Sequence, residues 1–257
     1  MVQILSWWKE FVGMSKKIIL PRGRKSLPEE LYRFGRHLVY SEGTETEPNY
    51  IESIKDNIAK KYMVAPNDIE IIYANNASNN TIHLVNDAKK DVKKRIKNGE
   101  TIDHVWIFFD KDDFPIEDFN EANNTLKKMN NSSFKNQEGF KYDKKTGITW
   151  HSCYSNEAFE LWLCLYFDYI QSALDRHQLI EHLNNVPNLK QSGFVYSKTQ
   201  KNIHDIFIKN GGSLDKAIKF AEKLKSNDTN NPSTNVDEFA SYFKPYMKWL
   251  KNDKMDA

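Results

Sequence analysis

Apolar residues along the chain form short runs with the length and composition of buried strands. The clearest is 104–109, a continuous apolar run typical of a strand covered on both faces of a parallel sheet. Three more segments rich in β-branched and aromatic residues are predicted to be strands: 35–40, 68–74 and 147–154. Four strands are therefore predicted.

Helical patterns separate these strands. Pro48 follows acidic residues and is expected in the first turn of a helix that continues to about Lys61. In the next interval, apolar residues recur at helical spacing, at Ile82, Val85, Ala88, Val92 and Ile96. Two more helices are predicted over 116–129 and 156–167. This alternation predicts an α/β fold with a mostly parallel sheet flanked by helices.

The same patterns divide the chain into three regions. Residues 1–34 are an extension with aromatic and basic side chains, for which a docked surface arm is favoured over a nucleic-acid contact. Residues 35–169 form the predicted α/β domain, and residues 170–257 form a helical C-terminal region. Helices of that region are predicted near 171–184, 199–210, 213–226 and 235–251.

The composition fits a globular protein, with 39% hydrophobic and 28% charged residues. Because the net charge is only +2, nucleic-acid binding would have to depend on local basic patches. Cys153 and Cys164 match no zinc-ligand spacing, and both are predicted to be reduced residues of the core. No apolar run is long enough for a transmembrane helix, and the first residues lack the order of a signal peptide. A cytoplasmic location without membrane contact is therefore expected.

Three carboxylates follow predicted strands, at the edge where open α/β sheets bind ligands. Glu42 follows the first strand, and Asp110 and Asp112 follow the third, spaced so that both can point the same way. Taken singly, each is more often a cap of the next helix. Converging carboxylates repel one another, and a divalent cation such as Mg²⁺ relieves that repulsion. The trio therefore predicts a metal site suited to phosphodiester hydrolysis.

These carboxylates lie in longer motifs that resemble a known family. Glu42-Gly43 after one strand and Asp110-x-Asp112 after another resemble the Toprim fold of topoisomerases, primases and related nucleases. The similarity is closer to the RloB-like family, a Toprim branch of antiphage defence proteins comparable with AbiL- and AriB-type effectors. Its motifs are matched by residues 41–50, 109–114, 119–122, 155–163 and 231–236. One departure is Tyr40 before Ser41, where a small or apolar pair is expected before Glu-Gly.

The resemblance implies a Toprim-like fold and a metal-dependent endonuclease with Mg²⁺ or Mn²⁺ as its cofactor. It implies RNA, including tRNA, or DNA as the substrate, and an ABC- or SMC-type ATPase, encoded nearby, as the partner. The protein would then be the effector of an abortive-infection system directed against phage. Assembly as a homo-oligomer is also considered.

Carried onto this chain, the resemblance makes Glu42 a metal ligand or a general base and makes Asp110 and Asp112 metal ligands. Glu47 is interpreted, by a small margin, as an acid favoured at a helix N-terminus rather than as a residue supporting the site. Asp113 has two equal interpretations, as a holder of a metal-bound water and as a helix cap.

Glu160 lies in the apolar segment 159–163, where a carboxylate without a partner would be costly. Because the RloB-like pattern includes this residue, the resemblance adds it to the catalytic set with the three strand-end carboxylates, as a further ligand or as an orienting group for Ser155 and Asn156. Those two residues are expected to form the turn after the fourth strand and to contact phosphate. The alternative is a solvent-facing glutamate like Glu157.

The remaining candidates are interpreted as structural. His151, on the fourth predicted strand, fits a core or rim histidine better than an acid–base partner. Lys111 and the group of Lys141, Lys144 and Lys145 fit a solvated surface better than a phosphate-binding site.

Two other functions stay open at the level of sequence. The same metal site could act on a nucleotide or a small phosphoester, or the chain could be a non-catalytic regulatory subunit of the ATPase. The intact acidic trio favours catalysis.

Overall fold

The fold is built around one sheet. The computed structural model describes residues 35–62, 69–73, 81–111, 116–130, 135, 141–226 and 231–247, so the predicted extension 1–34 lies outside the described residues. Its strands are β1 His37–Ser41, β2 Ile69–Tyr73, β3 His104–Asp110, β4 Thr149–Asn156 and β5 Ser233–Thr234. They form a five-stranded sheet in the order β2-β1-β3-β4-β5. β1 to β4 are parallel and β5 is antiparallel to β4, which confirms the predicted α/β class with a mostly parallel sheet.

Helices follow the strands and then fill the C-terminal region, as predicted. In the described residues they are α1 Thr46–Tyr62, α2 Thr81–Lys97, α3 Ile116–Met129, α4 Glu160–Cys164, α5 Arg176–Asn185, α6 Pro187–Gln191, α7 Ile203–Lys209, α8 Leu214–Ser226 and α9 Val236–Met247. Pro187 begins α6, a position where the missing N–H of proline costs no hydrogen bond.

Both faces of the sheet are covered, which explains the continuous apolar runs in its strands. On one face, Ile107 and Phe109 of β3 pack with apolar residues of α2 and α3. On the other, Trp106 and Phe108 pack with α1 and with Phe239 of α9. This second cluster continues through α4 to α9, so the C-terminal region shares its core with the sheet.

Three predicted helices begin later than expected: the one predicted near 199–210 starts at Ile203, and the other two shifts have identifiable reasons. The helix predicted over 156–167 starts later, as α4, because Asn156 belongs to β4 and pairs with β5, and it ends at Cys164. The helix predicted over 171–184 begins only at Arg176. Its start is fixed by Asp175, whose carboxylate accepts a 2.9 Å hydrogen bond from the backbone N–H of Gln178.

Both cysteines are free and buried, as predicted. Burial raises the pKa of each thiol well above its usual range, so both are poor nucleophiles. In the part of the chain that is described, no helix has the length and hydropathy needed to cross a membrane.

Candidate functional site

Two of the predicted carboxylates lie at neighbouring strand ends. Asp110 is the last residue of β3, and Glu42 directly follows β1. β1 and β3 are paired, with Ser41 opposite Phe108, and the backbone N–H of Glu42 donates to the carbonyl of Phe108 at 3.0 Å. Adjacent strands are about 4.8 Å apart, so the two carboxylates share one end of the sheet. Asp112 and Asp113 lie outside the described residues, and their roles stay predictions.

The turn after β1 is shaped to bring a third carboxylate inward. The Ser41 hydroxyl donates to the carbonyl of Gly43 at 2.7 Å. A Cβ atom on Gly43 would lie 2.5 Å from Oε2 of Glu47, so glycine leaves the space that this carboxylate occupies. Glu47 is in the first turn of α1, as predicted, but it is buried against the site rather than exposed at a helix end.

Glu160 begins α4 and is buried, so the interpretation of a solvent-facing glutamate is wrong. The hydroxyl of Tyr196 donates to its Oε1 at 2.9 Å. The Nε atom of Arg176 lies 3.7 Å from its Oε2. Both carboxylate oxygens of Glu160 therefore have protein partners, which offsets the cost of burying the charge.

Arg176 joins two of the carboxylates. Its Nη2 donates to Oδ2 of Asp110 at 2.9 Å, while its Nε faces Glu160. Asp110 comes from the end of β3 and Glu160 from the start of α4, so the guanidinium links two separate elements. Arg176 is the first residue of α5.

Tyr196 reaches the site from the segment between α6 and α7. Its backbone N–H donates to the side-chain oxygen of Asn184 at 2.7 Å, and its hydroxyl also bonds to the side chain of Thr46. Burial, followed by the charge of Glu160, raises the pKa of Tyr196, so the hydroxyl keeps its proton and acts as a donor.

The charge of the site is unbalanced. The pKa of Glu47 is raised to about 7, mainly by burial and also by the nearby Glu160 carboxylate, while a backbone hydrogen bond, Arg176 and Lys198 oppose the rise. Among the described residues, Glu42, Asp110 and Glu160 add negative charge here, Glu47 is partly protonated near pH 7, and Arg176 and Lys198 are the nearby cations. This excess of negative charge suits a cationic ligand.

The residues fit a hard divalent cation in part. Glu42 and Asp110 would offer oxygen ligands from adjacent strand ends, and Mg²⁺ takes one or two protein carboxylates while keeping water and phosphate ligands. Glu160 fits less well as a ligand, because Tyr196 and Arg176 contact its oxygens. Across the described ranges, no three His, Cys, Asp or Glu residues come together as a metal-holding group, and the third predicted ligand, Asp112, lies outside those ranges.

The last residues of β4 stabilise the neighbouring strand end that carries Asp110. The predicted turn at Ser155 and Asn156 is instead the last part of the strand. Ser155 is buried and its hydroxyl lies 3.0 Å from that of Thr234 in β5, while its carbonyl accepts from the backbone N–H of Lys111 at 2.9 Å. These contacts fix the β4 strand beside Asp110, whose register partner is Ser155.

His151 lies away from the carboxylates, as its structural interpretation predicted. It is buried, stacks on Trp106 with ring centroids 3.6 Å apart, and lies 3.0 Å from His104 between ring nitrogens. Burial lowers its pKa well below the usual range, so it stays neutral. The exposed group Lys141, Lys144 and Lys145 precedes β4, at the opposite end of the sheet from Asp110.

Arg176, Tyr196 and Lys198 were not found from the sequence. They lie in the helical C-terminal region, and no spacing connects them to the strand ends. The one available signal was the buried position expected for Glu160, because a buried carboxylate requires a donor or a cation. That requirement does not say which arginine or tyrosine supplies it.

The fold and the site together define an α/β protein with carboxylates at the ends of adjacent parallel strands and an arginine set among them. The model of the family described as RloB-like protein matches residues 37–242. Because the match covers well over half of the chain, the protein belongs to the RloB-like family, as the motifs indicated. No curated protein and no solved structure matches the chain.

Proposed function

We propose that the protein is a metal-dependent nuclease that hydrolyses phosphodiester bonds in RNA, with tRNA among the candidates, or in DNA. The observation that supports this most is the placement of Glu42 and Asp110 at the ends of adjacent parallel strands. Ligands of open α/β sheets bind at this edge, and two oxygen donors at one point suit Mg²⁺ or Mn²⁺.

In this proposal, Glu42 and Asp110 hold the metal, and Asp112 is the predicted third ligand. The bound ion would polarise a phosphoryl oxygen and lower the pKa of a bound water molecule. Glu42 is also the proposed proton acceptor or donor for the scissile oxygen when it is not committed to the ion. Gly43 lets Glu47 approach, which adds to the negative charge that favours a cation.

Family membership supports a second part of the proposal. We infer that the protein is the effector of an antiphage abortive-infection system and acts with an ABC- or SMC-type ATPase encoded nearby. The motif resemblance carries this part alone, whereas the nuclease chemistry rests also on the position of the carboxylates. The two parts are therefore tested separately.

The nuclease is tested with purified protein, alone and with the neighbouring ATPase, on labelled RNA and DNA with Mg²⁺, Mn²⁺ or EDTA. Cleavage that requires the metal and is lost in Glu42→Gln and in Asp110→Asn is expected. Glu100→Gln is the matched control, because Glu100 is an exposed carboxylate that pairs with Arg95 away from the strand ends. Equal cleavage in all three variants would overturn the metal site.

Two other results would redirect the proposal. Turnover of mononucleotides without cleavage of polymers would identify a phosphoesterase. Tight binding to the ATPase, without metal binding or hydrolysis, would identify a regulatory subunit.

A further inference from the structure

The most informative contact outside the predicted carboxylates is the one made by Arg176. Its guanidinium contacts Asp110 at 2.9 Å and Glu160 at 3.7 Å. The side chain of Glu160 is only 2% exposed and that of Asp110 is 13% exposed, whereas that of Arg176 is 30% exposed. The Arg176 side chain is thus more exposed than either anion that it contacts.

The two contacts differ in how firmly their partners are fixed. Glu160 is buried in α4, and Tyr196 holds its other oxygen at 2.9 Å. Tyr196 is in turn fixed by Asn184 and Thr46. Asp110 stands at the strand end, where the proposed metal would bind. We therefore expect Arg176 to keep its contact with Glu160 when the metal binds and to exchange its contact with Asp110.

Metal binding at Asp110 would change the position of the arginine. A carboxylate oxygen that coordinates Mg²⁺ is a weaker acceptor for a guanidinium, and two cations on one carboxylate repel each other. Arg176 would keep its contact with Glu160 and turn the donor now on Asp110 toward another anion. The anion that approaches a metal at this edge is the substrate phosphate, whose geometry matches the planar donors of arginine.

We propose that Arg176 is a phosphate-binding residue of the site, that Glu160 and Tyr196 position it, and that its contact with Asp110 exchanges for a contact with a phosphodiester when the metal binds. The proposal rests on the proposed nuclease function and deepens it. It also makes Glu160 a positioning residue for Arg176, whereas the sequence suggested a further ligand or an orienting group for Ser155 and Asn156.

The first measurement is the Mg²⁺ affinity of the substrate-free protein by titration calorimetry. Arg176→Gln removes a cation from the carboxylate cluster, so Mg²⁺ should bind about threefold more tightly or better. Glu160→Gln removes an anion and should leave Mg²⁺ affinity unchanged or weaker. Arg176→Lys keeps the charge and should resemble the wild type.

The second measurement is binding of a labelled single-stranded RNA, and of the DNA of the same sequence, with Ca²⁺ replacing Mg²⁺. Arg176→Gln should weaken binding about tenfold or more, as expected for loss of charge-assisted hydrogen bonds. The slope of log affinity against log salt should fall by about 0.7, the value for one phosphate contact on a single strand. Glu160→Gln and Tyr196→Phe should weaken binding in the same direction.

Arg95→Gln is the matched control, because Arg95 also pairs with several carboxylates and is 20% exposed. Its partner Glu70 lies near the start of β2, at the opposite end of the sheet. Arg95→Gln should change neither Mg²⁺ affinity nor oligonucleotide affinity. Thermal unfolding of every variant identifies any that fail to fold, and Arg176→Lys then replaces Arg176→Gln, with a smaller loss of oligonucleotide affinity expected.

The outcomes separate the two proposals. If the wild type binds and cleaves nucleic acid but Arg176→Gln and Arg176→Lys bind oligonucleotide as the wild type does, the phosphate-binding role is wrong and the nuclease stands. If both Mg²⁺ and oligonucleotide bind more weakly to Arg176→Gln, the arginine is structural. If the wild type neither binds nor cleaves either oligonucleotide, both proposals are wrong.

Discussion

A Cβ atom on Gly43 would lie 2.5 Å from Oε2 of Glu47, so the buried Glu47 carboxylate occupies its position because residue 43 has no side chain. Gly43→Ala should therefore displace the end of the buried Glu47 side chain and destabilise the protein by about 1 kcal/mol, the low end of the cost of overpacking, because that side chain is flexible. Urea unfolding measures the change. Because the clash is with the Glu47 side chain, Gly43→Ala made in a Glu47→Ala background should cost much less. Equal costs in both backgrounds would show that the glycine serves another purpose.

The buried position of Glu47 predicts an unusual dependence of stability on pH. Its pKa is raised from 4.5 to about 7 in the folded protein, so the folded state binds more protons than the unfolded state between these values. The free energy of unfolding should therefore fall as pH rises through this window. In metal-free buffer, Glu47→Gln should be more stable than the wild type at pH 8, by about 1–3 kcal/mol, and lose this advantage near pH 5.

Glu45→Gln is the control for that experiment, because Glu45 is exposed just before α1. It should change the melting temperature little at either pH. A Glu47→Gln variant that is less stable than the wild type at pH 8 would contradict the assignment of the raised pKa to Glu47.

Two buried histidines should have the opposite effect on how the free energy of unfolding depends on pH. Burial lowers the pKa of both His104 and His204 from 6.5 to about 4. The unfolded state therefore takes up protons that the folded state does not, and these residues lower the free energy of unfolding as pH falls from 6.5 to about 4. NMR signals of both imidazole rings should stay unshifted from pH 8 to pH 5. A midpoint near 6.5 for either ring in the folded protein would contradict this prediction.

Tyr196→Phe tests the support of Glu160. The change removes the hydroxyl that donates to Oε1 of the buried carboxylate and leaves that oxygen without this donor. A loss of about 1–3 kcal/mol in the free energy of unfolding is expected. Tyr142→Phe, at a partly exposed tyrosine before β4, should cost much less. Similar costs for the two variants would mean that the Tyr196 hydroxyl contributes little.

Removal of the metal should be visible without any substrate. Under the proposed function, Mg²⁺ binds only the folded protein and raises the melting temperature with increasing concentration, and EDTA reverses the rise. Asp110→Asn should abolish the shift. A shift of equal size in Asp110→Asn would place the bound ion elsewhere on the protein.

The sequence predicted the part of the site that depends on strand order. The run at 104–109 could be recognised because a strand buried on both faces is apolar throughout, and Asp110 interrupts it at once. Glu42 followed from the same argument on β1. Because parallel strands end at one edge of the sheet, the sequence predicts that Glu42 and Asp110 lie close together.

The sequence did not predict the contacts that the helical C-terminal region makes with the carboxylates. Arg176 is 66 residues from Asp110, and Tyr196 is 36 residues from Glu160, separations for which no periodic pattern exists. β5 was missed because its two residues are too few to form a recognisable pattern. The helix predicted over 156–167 starts too early for the same reason, since the pairing with β5 keeps Asn156 extended.

The antiparallel strand β5 has a consequence for synthesis of the chain on the ribosome. Ser155 and Asn156 acquire their β5 partners only when residues 233 and 234 have emerged, and Trp106 is covered by α9 later still. A growing chain that ends before these residues carries an open strand edge and an uncovered aromatic face, both of which promote association with other chains. The sheet that carries Glu42 and Asp110 is therefore completed late in translation, when β5 and α9 cover its remaining edge and face.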